Sequence, residues 1–181
     1  LIDAYALIYR AYYAFIKNPR VNSKGMNTSA ILGFVNTLED VLKTQSPTHI
    51  AVCFDPSGPT FRHEAYEAYK AQREATPEDI KASIPVIKEI IENYNIPILE
   101  VPGFEADDVV GTVSKMAEKR GYKVFMLTPD KDYAQLVSEN IFIYRPKHGG
   151  GYEVLDVEGV KEKWGLSSPE QVIDLLGLMG D

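Results

Sequence analysis

Glu105, Asp107 and Asp108 fall within four consecutive positions of the stretch GFEADDVV, and apolar residues follow at once. Three like charges at the head of an apolar run admit two readings. Acids in the first turn of a helix complement its macrodipole, for about a few tenths of a kcal/mol each. Alternatively, the carboxylates face a cation that the sequence does not contain. Other acids stand in comparable places: Asp3 after LI, Asp55 after HIAVCF, and Asp130 and Asp132 in TPDKD after YKVFML. Each alone could cap the next helix. Their recurrence after separate apolar segments favours the cation.

The elements that would position these acids follow from periodicity. LI, HIAVCF, IPILEV, YKVFML, NIFIYRP and YEVLDV read as strands, the last two joined across glycines 149 to 151. YALIYRAYYAF has helical spacing, with Tyr5, Tyr9, Tyr12 and Tyr13 expected in the core. Thr28 is placed to cap a helix through SAILGFVNTLEDVLKTQ. TPEDIKASIPVIKEIIENY opens on a Thr cap and a Pro, and Pro85 predicts a kink or a late start. EADDVVGTVSKMAEKRG places Ala106, Val109, Val110, Val113 and Ala117 on one inner face, with Gly121 as a stop. KDYAQLV, VEGVKEKWG and SPEQVIDLLGLMG complete the helical segments.

Strands alternating with helices predict an α/β fold with a mainly parallel central sheet flanked by helices. Parallel strands end along one edge, where ligands of open α/β folds bind. Seven carboxylates (Asp3, Asp55, Glu105, Asp107, Asp108, Asp130 and Asp132) are thereby expected on one side. Two carboxylates about 4 Å apart repel by roughly 4 kcal/mol at an effective dielectric near 20. Such company is bearable only with protons or cations. Hard divalent ions take oxygen ligands, and a surplus of acids leaves room for two. Two ions can activate a water and stabilise the leaving oxygen of a phosphodiester. His49, His63 and His148 are scattered, as surface or core residues would be, and form no zinc pattern.

The chain of 181 residues suits one domain. Its net charge of −7 argues against a nucleic-acid partner unless several acids share a cation site. The single Cys53 excludes an internal disulfide, and no run approaches transmembrane length. A monomer in the cytoplasm, without a membrane partner, is expected. Both ends look trimmed, as in a fragment of a longer protein.

An arm at about 57–76 follows Asp55. As a helix it would align Arg62, Tyr66, Lys70 and Arg73 at spacings of four, four and three. Cations interleaved with an aromatic suit single-stranded nucleic acid. A solvated helix with Glu64, Glu67 and Glu74 paired to those cations accounts for the same spacing. Arg10 lies one helix face from Asp3 and is a further phosphate candidate.

LIDAYALIYRAYYAF, VCFDPSGPTFRHEAYEAYKAQR, EVPGFEADDVVGTVSKMAEKRGYKVFMLTPDKDYAQLV and LLGLMGD closely resemble the 5′ nuclease domains of bacterial DNA polymerase I. These are members of the flap endonuclease family with a PIN-like fold. The resemblance runs along essentially the whole chain; GFEADDV with TPDKD is its most specific part. It implies cleavage of DNA near 5′ ends and flaps with two Mg²⁺ or Mn²⁺ ions, in primer removal and repair. By position, Asp3, Asp55, Glu105, Asp107, Asp108, Asp130, Asp132 and Asp181 resemble its metal-binding acids. Lys70 and Arg73 resemble its basic arch residues, which steer and polarise the scissile phosphate. Arg10, Arg62 and Tyr66 fall at DNA-contact positions. The resemblance also implies a polymerase portion in the same longer chain and a bacterial, nucleoid-associated setting.

Two departures stand out. Ala4 replaces the Gly that often follows the first Asp. The helix-hairpin-helix region that follows GD in the family lies beyond the sequence. Two rival readings remain: a non-catalytic nucleic-acid-binding fragment, and a phospho-receiver domain using Asp55 with Thr128 and Lys131.

Overall fold

A computed structural model describes residues 1–147 and 149–179. Residues 148, 180 and 181 lie outside the described set, so the expectations for His148 and Asp181 find neither support nor correction. The chain divides into two compact units, one comprising 1–3 and 107–181, the other 4–106.

In the first unit, β1 (Ile2–Asp3) pairs in parallel with β4 (Val124–Leu127), Ile2 opposite Leu127. β4 pairs in parallel with β5 (Ile141–Pro146), and β5 pairs antiparallel with β6 (Tyr152–Leu155). Helices α5 (Ala106–Lys119), α6 (Val157–Trp164) and α7 (Val172–Met179) supply its helical part. Ile2, Val110, Met126, Ile141, Ile143, Val160 and Val172 are fully buried. α5 stops where Gly121 adopts φ 83°, a conformation open to glycine. Val113 and Ala117 are only half-buried; Gly111 and Ser114 complete the inner face instead.

In the second unit, β2 (Val52–Cys53) pairs in parallel with β3 (Ile98–Leu99). Both are shorter than the apolar runs that predict them, because flanking backbone leaves the ladder; bonds Val52 N→Pro97 O and Phe54 N→Leu99 O frame the pair. α1 (Ala4–Ala14), α2 (Ser29–Gln45), α3 (Phe61–Ala65) and α4 (Glu78–Asn93) make up the rest. The mainly parallel pairing and interspersed helices give the predicted α/β class.

α1 buries Ala4, Leu7, Ile8 and Ala11, which fills its inner stripe. The tyrosines therefore do not join the core. Tyr13 is 53% exposed and Tyr5, Tyr9 and Tyr12 are half-buried on the flank. Thr28 sits at the N-cap of α2 without bonding it; its hydroxyl donates to the Arg20 carbonyl at 2.9 Å. α4 runs through Pro85 from Glu78, so a late start is not what this proline does.

α1 and α2 approach through a glycine. A Cβ added at Gly33 would stand 2.5 Å from the Cβ of Ala11, a distance two carbons cannot share. Gly33→Ala is expected to destabilise the protein by about 1–3 kcal/mol through overpacking, despite its better helix propensity. Urea unfolding checks this, and an unchanged midpoint would contradict the close approach.

Candidate functional site

The first unit gathers acids around one buried phenol. Asp3 closes β1 and is 8% exposed. Thr128, fully buried just after β4, donates its hydroxyl to Asp3 Oδ2 at 3.1 Å. The Thr128 hydroxyl oxygen itself accepts the Asp130 backbone N–H at 3.1 Å. Asp130 in turn caps a short 3₁₀ helix (Lys131–Leu136), its Oδ1 accepting from Asp132 N at 2.9 Å. Asp130 and Asp132 are exposed. Asp107 and Asp108 occupy the first turn of α5, and Asp107 Oδ1 accepts from Asp108 N at 2.7 Å. These two acids thus decorate a helix start, as the first reading of the cluster expects.

Tyr133, on the 3₁₀ helix, is 2% exposed. Its hydroxyl has no hydrogen-bond partner of normal geometry among the described residues. Burial, then the negative charges of Asp3 and Asp107, with Asp130 adding, push its ionisation far up. The charges of three of the predicted acids, from β1, α5 and the cap of the 3₁₀ helix, bear on this one buried phenol. Such an orphaned buried oxygen beside carboxylates fits a hard divalent cation with its waters, and the donor set is all oxygen. Asp3, Asp107 and Asp130 would have to draw closer together to hold such an ion, with Asp108 and Asp132 on the same segments. No group of three His, Cys, Asp or Glu side chains close enough to hold a metal ion stands among the described residues.

Thr128 is the residue that sequence reasoning missed for this role. It couples Asp3 to Asp130 through one hydroxyl. Thr128→Val keeps the volume and removes both bonds. It is expected to cost about 1–3 kcal/mol and to weaken Mn²⁺ uptake in a calorimetric titration. Equal Mn²⁺ affinity in the variant would show that the bridge does not order the acids.

The second unit carries the arm and two more acids. Asp55, half-buried after β2, accepts the Ala106 backbone N–H on Oδ1 at 2.6 Å, which fixes the first residue of α5. Burial first, then Asp55 and Glu100, hold the Tyr5 phenol above its ordinary range. Glu105 is 5% exposed. Lys70 Nζ reaches both its oxygens at 2.9 Å, Tyr69 Oη donates to Oε2 at 3.1 Å, and Arg62 Nη1 lies 3.7 Å away. Burial pushes the Lys70 ammonium down, but the bond to and charge of Glu105 outweigh that and leave it raised.

The arm corrects the expected stripe. Only Phe61–Ala65 is helical, started by a Thr60–His63 capping pair. His63 is thus a capping residue. The helix ends at Tyr66, whose backbone is extended at φ −147°. Successive turns follow, with Lys70 at φ 56°. α3 buries no residue, so no packing sustains a longer helix. Arg62, Tyr66, Lys70 and Arg73 therefore do not share a helical face. Arg62 and Lys70 meet at Glu105 instead, while Tyr66 and Arg73 are exposed. Arg10 is half-buried on α1. The chain passes from one acid set to the other between Ala106 and Asp107.

Comparison with known proteins places this arrangement. Residues 1–165 match the model of the 5′-3′ exonuclease N-terminal resolvase-like domain. The chain is 40% identical over its whole length to a 5′-3′ exonuclease of Aquifex aeolicus, covering 61% of it. It is 40% identical to DNA polymerase I of Bacillus caldotenax and 44% to the thermostable DNA polymerase I of Thermus thermophilus, again over its whole length. It spans 20% and 21% of those two proteins. The T5 5′-exonuclease with bound zinc matches in fold at TM-score 0.72 and 20% identity, over 99% of this chain and 65% of that one. The catalytic core of Rad2 with a DNA substrate matches at TM-score 0.58 and 20% identity, over 99% and 54%. These matches displace the receiver reading of Asp55. Across most of its length, this chain belongs to the 5′-3′ exonuclease N-terminal resolvase-like domain family.

Proposed function

We propose that the chain is the nuclease portion of a DNA polymerase I, a metal-dependent 5′-3′ exonuclease and flap endonuclease that removes primers and repairs DNA. The observation that carries this reading is the charge of Asp3, Asp107 and Asp130 bearing on the buried Tyr133 hydroxyl, in a chain of this family. The DNA polymerase I and exonuclease relatives support the activity. The structural relatives with zinc and with DNA support the cation and the substrate.

Two Mg²⁺ or Mn²⁺ ions would supply Lewis acidity for water attack on the phosphodiester. The chain's own groups do the rest. Asp3 and Asp130 are held in fixed relation by Thr128, and Asp107 by the first turn of α5. Lys70 and Arg62, poised at Glu105, supply positive charge toward a phosphate, and exposed Arg73 and Tyr66 extend the arm's contact with DNA. The protein acts as a cytoplasmic monomer. The test is cleavage of a 5′-labelled flap duplex with Mg²⁺ or Mn²⁺, which excess EDTA abolishes. Cleavage unaffected by EDTA would refute the metal scheme.

A second reading draws on the Lys70–Glu105 pairing, which already neutralises one acid: a binding fragment without catalysis. DNA binding with no cleavage under any divalent ion would select it.

A further inference from the structure

His63 makes two contacts that join the start of the arm to its middle, and the proposed mechanism uses neither. Its Nδ1 accepts the Thr60 backbone N–H at 3.2 Å and stands 3.0 Å from the Thr60 hydroxyl. Its ring meets the Tyr69 ring edge-on, centroids 5.2 Å apart at 85°. All three residues lie within the second compact unit. A backbone N–H can only donate, so Nδ1 carries no proton and the neutral ring holds its own on Nε2. Thr60 is 3% exposed, so its N–H has little water to turn to.

These contacts matter more here than in an ordinary helix. α3 is five residues long and buries none of them. Its start depends on the capping pair rather than on packing. Tyr69 follows outside the helix and donates its hydroxyl to Glu105 Oε2 at 3.1 Å. Burial holds this phenol above its ordinary range, so it keeps the proton it donates. The Lys70 ammonium bonds both oxygens of the same Glu105 at 2.9 Å and lies 5.0 Å from the Tyr69 ring centroid. The imidazole is thus one ring away from the Lys70–Glu105 pair. Its charged and titratable neighbours are Arg62 and Glu64 on α3, Tyr69 against the ring, and Lys70 and Glu105 joined to Tyr69. Two cations, Arg62 and Lys70, already bear on Glu105.

We infer that His63 is a positioning residue of the arm: as a neutral ring it caps α3 and braces Tyr69, and through Tyr69 it sets Glu105 and Lys70. This rests on the nuclease reading, in which Lys70 faces a phosphate, and deepens it. A second proton on Nδ1 sets donor against donor at Thr60. It also adds a third positive charge to a segment that already carries Arg62 and Lys70. Imidazoles in general gain that proton between about pH 5 and 8. The arm is therefore ordered on the alkaline side and loosens as the pH falls.

The test follows single-turnover cleavage of a 5′-labelled flap duplex with Mg²⁺, from about pH 8.5 down to about pH 5.5. His63→Gln keeps an acceptor for the Thr60 N–H, as a capping box allows, but has no ring and does not titrate. His63→Phe keeps a ring against Tyr69 but has no acceptor. Metal-bound water titrates alike in all three proteins, so the ratio of each variant's rate to that of the protein removes it. At the alkaline end both variants are expected to cleave about fivefold or more slowly. At the acid end, where the protein's own ring is charged, that deficit should vanish or reverse. A second readout needs no variant. Nitrogen-15 NMR of the protein without metal or DNA should show the neutral ring protonated on Nε2. The Thr60 amide and Tyr69 ring signals should then shift along the same curve as the His63 ring. A deficit constant across the pH range, which a merely structural role predicts, overturns the inference and leaves the nuclease reading intact. So does a neutral ring protonated on Nδ1, or a Thr60 amide that ignores the titration. If circular dichroism shows that the variants do not fold, the NMR curve decides. No cleavage by the protein at any pH, with the three signals still titrating together, overturns the nuclease reading and upholds the coupling within the arm.

Discussion

Asp107→Ala is expected to reduce flap cleavage by at least about 10²-fold while DNA binding survives. Asp107 sits in the first turn of α5 and is one of three acids whose charge bears on the Tyr133 phenol. Its Oδ1 accepts the next residue's N–H at 2.7 Å, a bond local to the first turn of α5. Without divalent ions, deleting one of several neighbouring carboxylates relieves repulsion, and the melting temperature should hold or rise. With Mn²⁺ the order reverses. The protein gains stability from an ion that binds only its folded form, and the variant gains much less. Thermal melts with and without Mn²⁺, alongside cleavage rates, check both halves. A variant with full activity and the full Mn²⁺-induced shift would remove Asp107 from the site. Asp130→Ala should show the same loss of cleavage, plus about 1 kcal/mol of lost stability, because Asp130 also caps the 3₁₀ helix.

Lys70→Ala carries the second large effect, a fall of roughly 10²–10³-fold in cleavage with smaller change in binding. Lys70 holds φ 56°, a left-handed conformation that costs a side-chain-bearing residue about 1–2 kcal/mol. That conformation coincides with its ammonium reaching both Glu105 oxygens at 2.9 Å. Glu105 is nearly enclosed, and Arg62 Nη1 lies 3.7 Å from it as a second, longer ion-pair partner. Truncation therefore removes the nearer of two cations from a buried carboxylate, at about 1–3 kcal/mol. Lys70→Gly separates the effects: it relieves the backbone strain yet loses the charge, so it should unfold less readily than Lys70→Ala and cleave as poorly. Single-turnover rates and urea midpoints for the two variants check this. Wild-type cleavage in both would leave Lys70 a purely structural partner of Glu105.

The two experiments bear on different groups. The acids of the first unit and the Lys70–Glu105 pair of the second are positioned by unrelated devices, a shared Thr128 hydroxyl in one and a strained turn in the other. Loss of cleavage in both variants, with Mn²⁺ stabilisation lost only in Asp107→Ala, would assign cation binding to the first set and charge supply to the second.

The succession of elements was legible because burial periodicity is a local property of the chain. Apolar runs closed by acids marked β1, β2, β3 and β4, and helical spacing marked α1, α2, α4 and α5. The family likeness, read from GFEADDV and TPDKD, agrees with the match over residues 1–165. The arm was misjudged because its spacing of four, four and three fits a helix that has no buried face to stabilise it; five residues, Phe61–Ala65, are all that a cap can support. The tyrosines of α1 were misjudged because small and aliphatic residues fill the inner stripe and leave the rings on the flank.

By itself the sequence determined which residue types were available: acids after strands and cations after Asp55. Tertiary structure alone decided which of them meet. Thr128 became a bridge because the strands β1 and β4 lie side by side, although Asp3 and Thr128 are 125 positions apart. Glu105 met Lys70 because the arm turns back on itself, and packing buried the Tyr133 hydroxyl beside the charge of Asp3. Hydrogen bonds and charge pairs depend on distances of a few ångströms, and only the folded chain sets those between residues distant in sequence.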